Sequence, residues 1–264
     1  MTRPAFYSRG FVNSARFQLS TGDAVEWLRG QPTESVDLVI TDPPYESLEK
    51  HRAIGTTTRL KHSKSSSNDW FTIFPNARFG ELFAEVFRVL RRNTHFYLLC
   101  DAETMFVAKP AAEAVGFHFW KPLVWDKQTI GMGYHYRARY EFVLFFEKGK
   151  RRLNDLGIAD VLSAPRVRGG YPAEKPPEVA ETLIAQSSQP GELVVDPFMG
   201  SGSTGVAALR LGRRFLGNDL NAEAVAAAHT RLSEVDAGTS DGSPRRPADD
   251  ETAQRDLLDS IARQ

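Results

Sequence analysis

Hydrophobic positions along this chain fall into short runs that alternate with stretches of helical spacing. Residues 17–20 (FQLS) and 36–41 (VDLVIT) are apolar runs of strand length. The second stops at Asp42-Pro43-Pro44, which cannot continue a ladder, so a strand ends at Thr41. Leu82, Phe83, Val86, Phe87 and Leu90 keep helical spacing before an apolar run at 95–100, predicting a helix followed by a buried strand. Residues 120–126 (WKPLVWD) and 140–147 (YEFVLFFE) predict two more strands, joined by a Gly-rich, aromatic and basic connection from Gly131 to Arg139. This pair is expected to form an antiparallel hairpin at a sheet edge.

Lys175-Pro176-Pro177 opens a helix through about Ala185, with proline at an early helical position. Glu192–Val195 and Arg214–Gly217 then read as strands, and Thr204–Leu211 and Ala222–Ser233 as helices. Such alternation predicts an α/β fold with a doubly wound, mostly parallel sheet, whose ligands sit beyond the carboxyl ends of the strands. Residues 46–69 are rich in Ser, Thr, Lys and His and show no periodicity, marking a loop far longer than an ordinary connection. Residues 1–233 are expected to form one domain carrying inserted loops at about 46–69, 128–139 and 151–170. Residues 234–264 read as an acidic, flexible tail.

Composition narrows the function classes. Apolar residues make up 41% and charged residues 25% of the chain, which suits a packed core and excludes wholesale disorder. Cys100 is the only cysteine, so no internal disulfide can form and thiolate-rich metal sites are excluded. The six histidines show no ligand-like spacing, and no metal is expected. The first residues lack the apolar core of a signal peptide and no apolar stretch approaches a membrane span, so a cytoplasmic location is expected.

Net charge is zero but unevenly placed. Between Lys50 and Lys64 lie five basic residues, Lys50, Arg52, Arg59, Lys61 and Lys64, and no acidic one. The segment from Lys127 to Arg152, including Arg137 and Arg139, carries seven basic residues against Glu141 and Glu147. The tail holds eight acids and four bases, which leaves the body net positive and suited to a polyanion.

Two motifs carry chemistry. Asp196-Pro197-Phe198-Met199-Gly200-Ser201-Gly202-Ser203-Thr204-Gly205 follows a strand and opens a helix, with the glycine spacing of a nucleotide-cofactor loop. Asp196 stands where it would repel a pyrophosphate and favour an ammonium such as that of S-adenosyl-L-methionine. Fourteen residues after Gly205, Asp219 closes the next strand, placed to accept hydrogen bonds from ribose hydroxyls.

Asp42-Pro43-Pro44-Tyr45, at the end of a buried strand, is the more specific motif. An exocyclic base amine is a poor nucleophile because its lone pair is delocalised into the ring. The Asp42 carboxylate and a backbone carbonyl of the proline pair could accept its two hydrogens and free that lone pair. The prolines fix the backbone and have no N–H to divert the carbonyl. Tyr45 offers a face on which an extruded base can stack.

These residues resemble the DNA amino-methyltransferases of the permuted β class, in which the catalytic segment precedes the cofactor loop. The resemblance covers roughly residues 17–233 and implies the sheet of S-adenosylmethionine-dependent methyltransferases, with that cofactor and duplex DNA as partner. Gly22-Asp23-Ala24 resembles the short motif near the cofactor adenine. Tyr171-Pro172-Ala173-Glu174-Lys175-Pro176 resembles a HPTQKP element, of which only the Lys-Pro part matches closely; it implies that Lys175 lies near the cofactor carboxylate. The segment from Arg151 to Gly170 falls where target recognition is expected, shared with Lys50–Lys64 and Tyr134–Arg139. The resemblance favours adenine N6 over cytosine N4, because the first motif residue is acidic, and favours a homodimer. Any restriction nuclease of a restriction-modification pair would be a separate chain.

Methyltransferases of protein glutamine and of RNA carry a related NPPY motif, but generally after the cofactor loop. A silent nucleic-acid-binding module would not need Asp42, Tyr45, Asp196 and Asp219 together, and Asp196 disfavours an NAD-dependent oxidoreductase. If Arg59, Lys61 and Lys64 contact phosphates, replacing all three by Ala flattens the salt dependence of DNA binding by up to about three units of slope. Fluorescence titration at several salt concentrations measures it; an unchanged slope would show these residues to be merely solvated.

Overall fold

Burial on both faces turns the apolar runs into one sheet. The structure, a computed structural model, describes residues 14–47, 72–131, 135–167 and 174–239. Among these the strands are β1 (Phe17–Thr21), β2 (Val36–Thr41), β3 (Leu90–Cys100), β4 (His118–Asp126), β5 (Tyr140–Lys148), β6 (Val161–Ser163), β7 (Leu193–Asp196) and β8 (Arg214–Asp219). The α-helices are α1 (Ala24–Arg29), α2 (Phe79–Val89), α3 (Ala102–Ala114), α4 (Pro177–Ser187), α5 (Ser203–Arg210) and α6 (Ala222–Thr239). Strand order is β1-β8-β7-β2-β3-β5-β4-β6, parallel throughout except for β5.

One face packs Leu38, Ile40, Val194 and Phe215 against Leu183, Val206 and Leu232 of α4, α5 and α6. The other packs Val39, Phe96, Leu98 and Phe146 against Leu28, Phe83 and Ala108 of α1, α2 and α3. Each such side chain contributes about 1.5–3 kcal/mol on full burial, so the central strands hold the molecule together. Registry then aligns the strand ends: Thr21 lies opposite Asp219, Asp196 opposite Gly217, and Val39 opposite Val195. The carboxyl ends of β1, β8, β7 and β2 therefore form one rim.

Four expectations are corrected in detail. Leu90 opens β3 instead of continuing α2, because its backbone is already extended (φ −64°, ψ 136°). The hairpin of β4 and β5 is antiparallel as expected, but β6 covers its outer side and forms the edge. That strand lies within the supposed recognition loop 151–170. Leu162 is buried in the core, and the Trp125 indole donates to the Ala164 carbonyl at 2.9 Å, so this part of the segment is framework. The domain boundary after residue 233 falls inside α6, which runs to Thr239. Asp236 anchors the extra turn by accepting from Arg16 Nη1 at 3.0 Å and from the Ser14 hydroxyl.

The glycine loop serves packing as well as ligand access. Gly202 caps α5 at φ 82°, in the left-handed region. A Cβ on Gly205 would lie 2.7 Å from the Phe215 ring and 2.8 Å from Leu232 Cδ2. Gly205→Ala is expected to destabilise the protein by about 1–3 kcal/mol through overpacking, measured by chemical denaturation. An unchanged denaturation midpoint would mean that Phe215 and Leu232 yield freely.

Candidate functional site

Beyond the aligned strand ends lies a cavity of about 800 Å³. Asp42, Pro43, Pro44 and Tyr45 follow β2 directly into its wall. Asp23, Ala24, Lys175, Asp196, Pro197 and Phe198 also line it, with Gly200, Thr204 and Asp219. Of the cofactor residues expected from the sequence, Gly202 alone is missing from the lining; its backbone is turned to the packing of α5 against Ala228 and Leu232.

Asp196 sits at the end of β7, 3% exposed. Its Oδ1 accepts from the Thr41 hydroxyl at 2.8 Å and the Phe198 N–H at 3.0 Å, and its Oδ2 from the Thr204 hydroxyl at 2.9 Å. Burial pushes its carboxyl up to about 7 despite these donors, and the neighbouring Asp42 adds to the shift. Asp219, at the end of β8, accepts from the backbone N–H groups of Gly200 (2.9 Å) and Asn221 (2.8 Å); burial raises its carboxyl too. Gly200, at φ 51°, makes the turn that points its N–H at Asp219.

Asp23 caps α1, accepting from the N–H groups of Val25 (3.0 Å) and Glu26 (3.2 Å). Arg78 grips the same carboxylate with two bonds of 2.7 and 2.9 Å, the principal cause of its lowered pKa. The Arg78 guanidinium also lies 5.2 Å from the Phe74 ring centre, and Phe74 meets Phe198 edge-on at 5.1 Å. Phe74 fixes the Asp42–Tyr45 segment as well, since its N–H donates to the Pro44 carbonyl at 2.7 Å. Arg78 and Phe74 follow a long aperiodic stretch, and nothing in their spacing announced them.

Lys175 bridges two carboxylates. Its ammonium bonds Asp42 Oδ2 and lies 3.8 Å from Glu141 Oε2. Burial raises the Asp42 carboxyl; Lys175 opposes this shift and Glu141 reinforces it. Burial would likewise raise Glu141, but Lys175 and Lys127 outweigh it and hold this carboxyl below the usual range. Glu141, at the start of β5, was read only as an isolated acid in a basic stretch.

Of the expected DNA contacts, Arg137 is exposed. Arg139 is exposed too, and is paired with Asp126 through two bonds of 2.6 and 2.7 Å. Lys50, Arg52, Arg59, Lys61 and Lys64 lie outside the described residues, as do Tyr134, residues 168–170 and Tyr171-Pro172-Ala173. Among the described residues, no helix is long and apolar enough to cross a membrane.

The pKa of Asp196 has a consequence for stability. In the unfolded chain this group titrates near 3.8, whereas the folded protein retains its proton up to about 7. Its stabilising contribution is therefore complete below the lower value and is lost as pH rises through the higher one. The slope approaches about 1.4 kcal/mol per pH unit between them. Asp196→Asn is expected to flatten that slope between pH 5 and 7, as measured by denaturant unfolding. Parallel pH curves for the two proteins would show that Asp196 is ionised throughout.

Comparison with known proteins places the cavity in context. A family model described as DNA methylase (N6_N4_Mtase) matches residues 36–162 and 156–230. DNA adenine methyltransferase YhdJ of Escherichia coli (strain K12) is 27% identical over 262 residues, covering 84% of each chain. Among solved structures, the M1.HpyAVI–SAM complex aligns at a TM-score of 0.60 with 23% identity, covering 82% of this chain and 99% of that one. The cytosine-N4-specific PvuII DNA methyltransferase aligns at 0.65 with 18% identity, over 87% and 94%. Because the family match runs through the Asp42–Tyr45 segment, most of the sheet and the glycine loop, the chain belongs to the N6-adenine/N4-cytosine DNA methyltransferase family, whose methyl donor is S-adenosyl-L-methionine.

Proposed function

We propose that this enzyme methylates the N6 amine of adenine in duplex DNA, after extrusion of the base into the cavity beside Asp42. The observation that carries this reading is the shared cavity, in which the catalytic segment and the glycine loop face one space large enough for a base and a nucleoside cofactor.

The chain's own polar groups fit the cofactor. Ser203 Oγ, in the cavity lining, is buried without a hydrogen-bond partner, which suits a site that receives a polar ligand. Asp219 would accept the ribose hydroxyls, Asp23 and Ala24 would border the adenine, and an ammonium arriving beside Asp196 would draw its raised carboxyl back toward the ionised form. Lys175 lines the same cavity, but its ammonium is engaged by Asp42 and lies beside Glu141, so no contact with the cofactor carboxylate is assigned to it. When bound, S-adenosyl-L-methionine supplies an electrophilic methyl group on a sulfonium.

Asp42 and the Pro43 carbonyl would take the two amine hydrogens, because the Pro44 carbonyl already accepts from Phe74. Tyr45 is 7% exposed and its backbone pairs with Phe74, so its ring is a fixed platform for the base. Asp42, with its carboxyl raised, is placed to receive the proton that the amine sheds on methylation. The similarity to YhdJ, named as an adenine methyltransferase, supports adenine; the likeness to the cytosine-N4-specific PvuII enzyme favours cytosine N4 as the second reading.

Asp42→Ala is expected to lower methyl transfer by more than tenfold while cofactor affinity, read by isothermal titration, survives. More than a tenth of wild-type turnover would remove Asp42 from amine activation. Mass spectrometry of nucleosides from treated unmethylated DNA decides the base. N6-methyladenine supports this reading, N4-methylcytosine replaces the base but keeps the mechanism, and 5-methylcytosine defeats both.

A further inference from the structure

The ion pair between Lys175 and Asp42 poses a problem for catalysis. The carboxylate that must accept a base amine is already occupied by an ammonium, and Asp42 has only 24% of its side chain exposed. Pulling Lys175 away without another partner would strand a cation in a largely desolvated cavity, which is strongly unfavourable.

Glu141 offers that partner. Its Oε1 is held by Lys127 Nζ at 3.1 Å, which fixes the side chain. Its Oε2 is buried and has no hydrogen-bond partner. A carboxylate oxygen left in this state has lost its hydration without a replacement donor, and here it faces an ammonium 3.8 Å away. A displacement of about 1 Å by the flexible lysine tip would bring that ammonium to hydrogen-bond length from Glu141. Asp42, Lys175, Glu141 and Lys127 sum to zero formal charge wherever the ammonium sits, so the transfer leaves the cluster balanced. Arg166 also lines the cavity, and its charge helps hold Glu141 ionised.

We propose that Glu141 is a second berth for the Lys175 ammonium: when the base amine docks, Lys175 moves from Asp42 to Glu141, and the Asp42 carboxylate is freed for the amine. Glu141 is thus a positioning residue that acts through Lys175. The inference rests on the assignment of Asp42 to amine activation. It makes the resting enzyme self-protected, since the buried carboxylate is neutralised until a nucleophile displaces the lysine.

The test compares Glu141→Gln and Glu141→Asp with wild type by single-turnover methyl transfer to unmethylated duplex DNA at saturating cofactor, with isothermal titration of the cofactor and a thermal melt. Glu141→Gln removes the berth's charge, whereas Glu141→Asp keeps the charge beside Lys127 but withdraws it from Lys175. The methyl-transfer rate is expected to fall at least tenfold in Glu141→Gln and at least threefold in Glu141→Asp, with cofactor Kd within twofold of wild type in both. Should Glu141→Gln fail to fold, Glu141→Asp carries the comparison. A wild-type rate in a folded variant overturns the proposal.

A crystal structure with S-adenosylhomocysteine and a duplex that the enzyme methylates gives a direct readout. Lys175 Nζ is expected within about 3.2 Å of Glu141 and clear of Asp42. Lys175 still bonded to Asp42 beside a docked base overturns the proposal whatever the rates. Failure of the underlying reading is separate: Asp42→Asn with wild-type turnover would remove Asp42 from the chemistry, irrespective of how the Glu141 variants behave.

Discussion

Desolvation of carboxylates is the constraint around which this site is organised. Asp42, Glu141, Asp196 and Asp219 converge on one cavity, and each loses much of the hydration that keeps a carboxylate charged. Each meets that loss differently. Asp219 leans on two backbone N–H groups, and Asp196 on two hydroxyls and an N–H. Asp42 and Glu141 depend on lysines. The result is a graded set: Glu141 is held charged, whereas Asp196 and Asp219 are pushed toward their neutral forms.

The rigid sheet permits such gradation. Because β1, β8, β7 and β2 are parallel neighbours, their last residues arrive together without loops to place them. Thr41 and Asp196 come from strands more than a hundred and fifty residues apart in sequence, yet their side chains bond directly. Secondary contacts then hold the loops that leave the rim. Arg231 of α6 pairs with Glu174 at 2.7 Å and donates to the Ser201 carbonyl and hydroxyl at 2.8 Å, tying the approach to Lys175 to the glycine loop.

What the sequence revealed followed from the reach of its signals. Strand ends were legible at Thr41 and near Asp196 because proline follows each, and a backbone signal of that kind is local. Groups such as Glu141, Arg78 and Phe74 were not legible, because each acts through a partner distant in sequence: Lys175, Asp23 and Pro44. The glycine spacing was read in terms of ligand approach. Gly202 and Gly205 instead answer to Ala228, Phe215 and Leu232, which only the folded packing brings close. The end of α6 was misplaced for a related reason, since its polar last turn is held by Arg16 near the opposite end of the described chain.

The reversed direction of β5 has a further meaning. Antiparallel to both of its neighbours, it brings its first residue to the end of the sheet where they bring their last, and the connection from β4 therefore begins and ends there. Its base is closed by the Lys127 N–H on the Arg139 carbonyl at 2.9 Å and the Gly131 N–H on the Ala138 carbonyl at 2.8 Å. Beyond that closure, lengthening the segment costs little, because loop entropy grows only logarithmically. The stretch can therefore change in length and sequence while strand pairing and the buried charges beneath it stay unchanged.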